Sequence, residues 1–153
     1  MFFLCLIYTS AMGISGKTLY DEDFAEWSAH TAQLLRAGQY DQLDIENLAE
    51  EIEDLGKSER SAVRSHLNRL LLHKIKQIIQ PERDCASWQV SIVSARQAIL
   101  EGIEASPSLR PYLKQNLQKI HQNAMELALI ETGLEHAAVP KECPWDLDTL
   151  LTR

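Results

Sequence analysis

Most of the signatures by which a sequence declares its chemistry are missing from this chain. No GxSxG, Walker A or GxGxxG motif occurs, so hydrolase, NTPase and dinucleotide-binding readings lack their usual warrant. Neither ExxH nor HExxH is present, which removes the common helical ligand sets of di-iron bundles and zinc proteases. The three cysteines, Cys5, Cys85 and Cys143, are odd in number, far apart and without a CxxC pair. They indicate neither a disulfide framework nor a zinc site, and a reducing cytoplasm is the simplest compartment. Basic residues are also scarce, at 15 Lys plus Arg against 22 Asp plus Glu, for a net charge of −7. Affinity for nucleic acid or an anionic membrane comes largely from basic side chains, so neither is an expected partner. No motif calls for a cofactor or a metal, and enzymatic activity is not the first expectation.

A long hydrophobic run is missing too. The start, MFFLCLIYTSAMG, has an apolar core like that of a signal peptide, but no Lys or Arg precedes it. It falls well short of the roughly 20 residues that span a bilayer as a helix. Residues 1–11 are expected to be an extension arising from a start upstream of Met12, with a secretion leader or a membrane-surface anchor as the alternatives. On this reading residues 1–19 stand apart from a single domain at 20–153, long enough to bury roughly two-thirds of its unfolded surface without disulfide or metal.

What is present is helical periodicity. Residues 44–80, DIENLAEEIEDLGKSERSAVRSHLNRLLLHKIKQIIQ, place Ile45, Leu48, Ile52 and Leu55 on a 3-4-3 rhythm. Acids gather at the start and Arg69, Lys74 and Lys76 at the end, complementing the helix macrodipole. Asp44 is a plausible N-cap and Pro81 a stop. An earlier helix, about Asp21 to Ala37, carries Phe24, Trp27, Thr31 and Leu34/Leu35 on one face and ends at Gly38. A third, about Asp84 to Ala105, repeats Trp88, Ile92, Ala95, Ile99 and Ile103, with Trp88 expected as a core anchor. A fourth contains Leu113, Leu117, Ile120, Ala124 and Leu127; a cap at Ser108 places Pro111 at the third helical position, where a missing N–H costs nothing. A short apolar helix should close the tail. The fold class is therefore all-α: an up-and-down bundle of about four main helices plus a short C-terminal one.

The long helix does not keep one phase. At 100° per residue the centre of Val63, Leu67, Leu70, Leu71 and Ile78 is rotated by roughly 80° from that of Ile45 to Leu55, so a kink or break is expected near Gly56. Continuing the first stripe in heptads meets Glu59, Ala62, His66, Leu70 and His73, which sets ionisable groups where apolar ones belong. Glu59, His66 and His73 are thus the candidate catalytic residues, in a metal-assisted hydrolase or nuclease using a metal-activated water. Neighbouring members lie about 10.5 Å apart along the helix and cannot share an ion without ligands from elsewhere, such as His30 or His121. Half-buried boundary residues are the plainer reading, and His30 and His121, each flanking an apolar stripe, read as helix-boundary residues before they read as ligands.

The acidic cluster offers a different class of function. Glu46, Glu50 and Glu53 share a face away from the apolar stripe, with Glu53 four residues before Lys57. They mark a candidate docking face for a basic protein partner or a second copy. Arg60, Arg64, Arg69, Lys74, Lys76 and Arg83 spread around their helix and form no nucleic-acid stripe.

Finally, YDEDFAEW at 20–27, LLRAGQYDQLDIENLAEEIEDLGKSER at 34–60, SHLNRLLLHKIK at 65–76, QPERDCASW at 80–88, SPSLRPYL at 106–113 and ETGL with VPKECPW at 131–145 resemble the DUF29 family, bacterial proteins especially numerous in cyanobacteria. The resemblance runs in order from about Tyr20 to Leu151 and departs at Val139, where a Phe is usual. It implies an all-α fold and no assigned activity, so it carries over no site residue.

Overall fold

The computed structural model describes residues 18–134 and 139–152. The expected extension at 1–11 lies outside them. The chain divides into two compact units, residues 1–52 and 53–153. Every regular element among the described residues is helical.

In the first unit, α1 (Leu19–Glu22) and α2 (Phe24–Ala37) replace the single predicted helix. Asp23 separates them because its extended backbone ends one helix while its side chain accepts the Glu26 N–H at 3.0 Å to cap the next. Trp27, Thr31 and Leu34 form the buried stripe of α2, and Gly38 closes it at φ 71°, a conformation that favours glycine. Tyr20 packs edge-on to Trp27 at 4.9 Å and donates its hydroxyl to Glu51 at 2.6 Å. Phe24, expected inside, is 51 % exposed. A 3₁₀ turn at Tyr40–Gln42 leads to α3 (Ile45–Ile79), whose Asp44 cap accepts the Asn47 N–H at 3.2 Å.

The second unit takes the rest of α3, a 3₁₀ turn at Pro81–Arg83, α4 (Ala86–Ala105), α5 (Leu109–Thr132) and α6 (Leu147–Leu151). Val63 of α3 meets Gly102 at the far end of α4, and Lys76 pairs with Glu131 at the far end of α5 at 2.9 Å. The three long elements therefore run up, down and up. Leu67, Leu70, Leu71 and Ile75 from α3, Ala95 and Ile99 from α4, and Leu113, Ala124 and Ala128 from α5 are fully enclosed. Each such Leu or Ile contributes about 1.5–3 kcal/mol by its removal from water. Ser108 stands at the cap of α5, so Pro111 occupies the third helical position as expected.

The tail is clasped by charge as well as by apolar contact. Asp146 caps α6 through Thr149, Asp148 receives Arg110 and Lys114 from α5, and Arg96 of α4 donates to the Leu150 carbonyl at 3.0 Å. Leu147 and Leu150 fall into the core at 1 % exposure.

Three expectations are corrected. Of the kink or break expected near Gly56, the break does not occur: α3 is one helix from Ile45 to Ile79. Its early stripe is uncovered, with Ile45, Ile52 and Leu55 58–69 % exposed, because a continuous helix presents the later stripe to the core and turns the earlier one elsewhere. Trp88 is half-buried instead of a core anchor: Lys76 Nζ lies 4.8 Å over its ring, so that face packs against a cationic side chain and not against the apolar core.

Gly102 allows the close approach of α3 and α4, since a Cβ there would lie 2.8 Å from Cγ1 of the buried, stiff Val63. Gly102→Ala should lower stability by about 1–3 kcal/mol, outweighing the gain of up to about 1 kcal/mol in helix propensity. Gly56→Ala, where nothing stands within 4 Å, should raise it by about 0.5–1 kcal/mol. Urea midpoints of the two variants, moving in opposite directions, check both.

Candidate functional site

The polar interruption of the seam opens onto a groove in the second unit. Glu59, Ala62, Val63 and His66 of α3 face Ala98, Gly102 and Ala105 of α4, and Ser106 and Leu109 close the end. Small residues make the space: glycine at 102 and alanines at 62, 98 and 105 withhold the side chains that would fill it. The cavity is about 160 Å³, well under the roughly 300 Å³ at which sites for drug-sized ligands begin.

Its polar groups come from distant parts of the chain. Ser106 ends α4, its N–H bonding the Gly102 carbonyl at 2.8 Å, and its hydroxyl donates to Glu59 Oε2 at 2.9 Å. Arg69 Nη2 lies 2.9 Å from His66 Nδ1, and because a guanidinium only donates, Nδ1 is the acceptor and the proton sits on Nε2. The groove thus offers one carboxylate acceptor, one hydroxyl and one imidazole. A Ser-His-carboxylate relay needs the hydroxyl to bond imidazole; here it bonds carboxylate.

His73 is not part of this groove. It is half-buried against Trp88, ring centres 6.3 Å apart, and burial pushes its imidazole below the ordinary value, helped by the neighbouring Lys76. Among the described residues no three of His, Cys, Asp and Glu are grouped so as to hold a metal ion. His30 is exposed on α2, beside Glu26 and Gln33.

The acidic residues remain on the surface. Glu46 and Glu50 are exposed, and no basic side chain among the described residues pairs with either. Glu53 reaches Lys57 at 3.7 Å, but Lys57 sits closer to Asp54, at 2.8 Å. Several cations of the basic half are already engaged, Lys76 over Trp88 and Lys74 over Trp145 at 5.3 Å.

Over residues 19–153 the sequence matches the family described as Domain of unknown function DUF29. The chain belongs to the DUF29 family. No curated protein and no solved structure matches it.

In this DUF29 domain the most unusual side chain is one that sequence reasoning placed at a helix boundary. His121 is 0 % exposed, edge-on to Trp145 at 6.4 Å, and neither of its ring nitrogens has a hydrogen-bond partner. A signal existed, since Leu117, His121, Ala124 and Ala128 follow a 4-3-4 stripe on α5. Burial alone holds the imidazole below its ordinary value.

A lowered folded-state value means that the unfolded chain binds the proton more readily. Stability from neutral His121 is present above the unfolded value near 6.5 and is lost as pH falls toward the lower folded value. Stability of the wild-type chain should therefore decline from about pH 7 to pH 5. His121→Leu should shrink that decline and keep or raise neutral-pH stability, because two unpaired polar atoms leave the core. Urea midpoints across that range test it, with His73→Leu measured alongside to separate the second depressed imidazole; an undiminished decline in His121→Leu would show that His121 is not its source.

Proposed function

We propose that this DUF29 domain is a protein-interaction module that receives a basic, amphipathic helix of a partner protein on the first turns of α3. The observation that carries this reading is the exposure of Ile45 and Ile52, 58 and 61 %, next to Glu46 and Glu50, with which no basic side chain among the described residues pairs. At 100° per residue, Ile45, Ala49 and Ile52 fall within about 60° of one another on α3, and Glu46 and Glu53 run along one edge of that strip with Glu50 further round. Side chains at this spacing form a seam that accepts the apolar face of another helix, while the acidic edge selects a cationic flank. Large exposed aliphatics beside an acidic edge are a docking arrangement more than a solvated face. A cytoplasmic setting fits this role.

The alternative is a metal-assisted hydrolase or nuclease built on Glu59, His66 and His73. The convergence of Glu59 and His66 on one groove favours it, but His73 does not line that groove. Glu59 and His66 would need a further donor from a ligand or solvent to complete a coordination sphere. The groove's small volume suits a lone small ion or polar group better than a scissile polymer.

Binding of a Leu/Lys amphipathic peptide of about 18 residues, followed by fluorescence anisotropy, tests the docking reading. The expected result is saturable binding that weakens by at least tenfold between low salt and about 0.5 M salt. Glu46→Gln/Glu50→Gln/Glu53→Gln should reduce both the affinity and its salt dependence, and Ile45→Ser/Ile52→Ser should abolish binding with the helical circular dichroism unchanged. Wild-type binding no tighter than that of a scrambled peptide overturns the reading. Stoichiometric metal in protein purified without chelator, lost in Glu59→Gln/His66→Ala, would favour the enzyme instead.

A further inference from the structure

We propose that the C-terminal strap, residues 139–152, is an acid-released latch, and that His121 of α5, sealed beneath Trp145, is the group that opens it. His121 is 0 % exposed and neither ring nitrogen has a hydrogen-bond partner. A neutral imidazole carries one N–H and one bare nitrogen, so a buried ring without partners costs stability that an aliphatic side chain of similar size would not. An unpaired buried group of this kind calls for a role.

The strap is seated over this ring. Gln118, one turn before His121 on α5, holds the strap backbone twice: its amide donates to the Lys141 carbonyl at 2.9 Å and its side-chain carbonyl accepts the Cys143 N–H at 2.9 Å. Trp145, two residues on, meets His121 edge-on at 6.4 Å, and its own carbonyl accepts from the Cys143 thiol at 3.2 Å. Lys74 of α3 lies 5.3 Å over the same indole. The cover is thus a tryptophan fixed by a few polar contacts.

Lifting the strap is the least costly large motion open to this unit. α6 has five residues, too few to persist as a helix away from the bundle, whereas α3, α4 and α5 have 35, 20 and 24. Segments with few buried contacts open locally at lower free energy than the core. Release carries Leu147 and Leu150, each 1 % exposed, into water. It also uncovers the His121 nitrogens, and a solvated imidazole binds a proton near pH 6.5.

The surrounding charges give the direction of the switch. Lys74 of α3 is a cation, Arg96 of α4 is bound to the Leu150 carbonyl, and Arg110 and Lys114 of α5 are bound to Asp148. Among the described residues no carboxylate favours a proton on the closed ring, whose affinity for one is lowered by burial alone. The strap's own acids do not respond in the same range: the Thr149 N–H holds the Asp146 carboxyl, and Lys114 the Asp148 carboxyl, below the ordinary value, so both stay ionised from pH 7 to pH 5. Burial pushes the Cys143 thiol up, and it stays protonated throughout. A group that binds its proton less readily closed than open stabilises the closed form above about pH 6.5 and withdraws that stability as pH falls. Acid therefore opens the strap.

Amide hydrogen exchange of the full chain, with each rate divided by the intrinsic rate at its pH, tests the proposal. The reporters are the N–H groups of Cys143, Leu150 and Thr152, bonded to Gln118 Oε1 and to the Asp146 and Asp148 carbonyls, set against those of buried Leu67, Leu70, Leu71 and Ile75 in α3. The strap amides should be less protected than the core at pH 7. Their protection should fall about tenfold to twenty-five-fold between pH 7 and pH 5, the range for one proton on a site whose open-state value is near 6.5. His121→Leu should reduce that fall to less than about twofold. Gln118→Ala should loosen the strap at pH 7 and keep the fall, because it removes the seat and not the sensor. Strap protection that does not change with pH, that equals the core's at both pH values, or that falls undiminished in His121→Leu overturns the proposal. The first two comparisons need the wild-type chain alone, so they decide even where a variant does not fold.

Discussion

The constraint on which the rest depends is that one uninterrupted helix can turn only one face to a given core. α3 carries two apolar stripes about 80° apart, and the second unit takes the later one, enclosing Leu67, Leu70, Leu71 and Ile75 completely. With the helix unbroken through Gly56, that choice leaves Ile45, Ile52 and Leu55 in solvent. A break would have let each half reorient separately. Continuity instead spends the burial of four large side chains, worth about 1.5–3 kcal/mol each, on the later half. The division of the chain after Ile52 falls within a turn or so of the phase change.

Local rules of chain geometry were legible from the sequence, because the groups concerned act over three or four residues. Asp44 caps α3, Ser108 opens α5 ahead of Pro111, and Gly38 ends α2 in the left-handed region. Helical periodicity also located the polar seam of Glu59 and His66 that became the groove. What the sequence did not disclose depends on residues that meet from afar. Ser106, 47 positions from Glu59, bonds to it only because Gly102 lets α3 and α4 approach, and that need shows as contact with Val63. Trp88 reads as an inward residue at its spacing, yet the long stem of Lys76 reaches across its ring, and periodicity has no means of registering a neighbour that covers from above. His121 was misjudged for the opposite reason: its stripe position was apolar, and residue type was allowed to outweigh it.

Electrostatics divides the surface in a way composition alone hides. The second unit uses much of its positive charge internally, with Arg96, Arg110 and Lys114 fastening the C-terminal helix and Lys74 and Lys76 lying over tryptophans. The ion pairs of Arg110 and Lys114 with Asp148 are exposed and screened by solvent, so their effect on stability is modest. Their larger consequence is to hold these cations at the C-terminal helix and over the tryptophans of their own unit. Among the described residues no basic side chain pairs with Glu46 or Glu50, although the chain holds 15 basic residues, a matter of position more than of number.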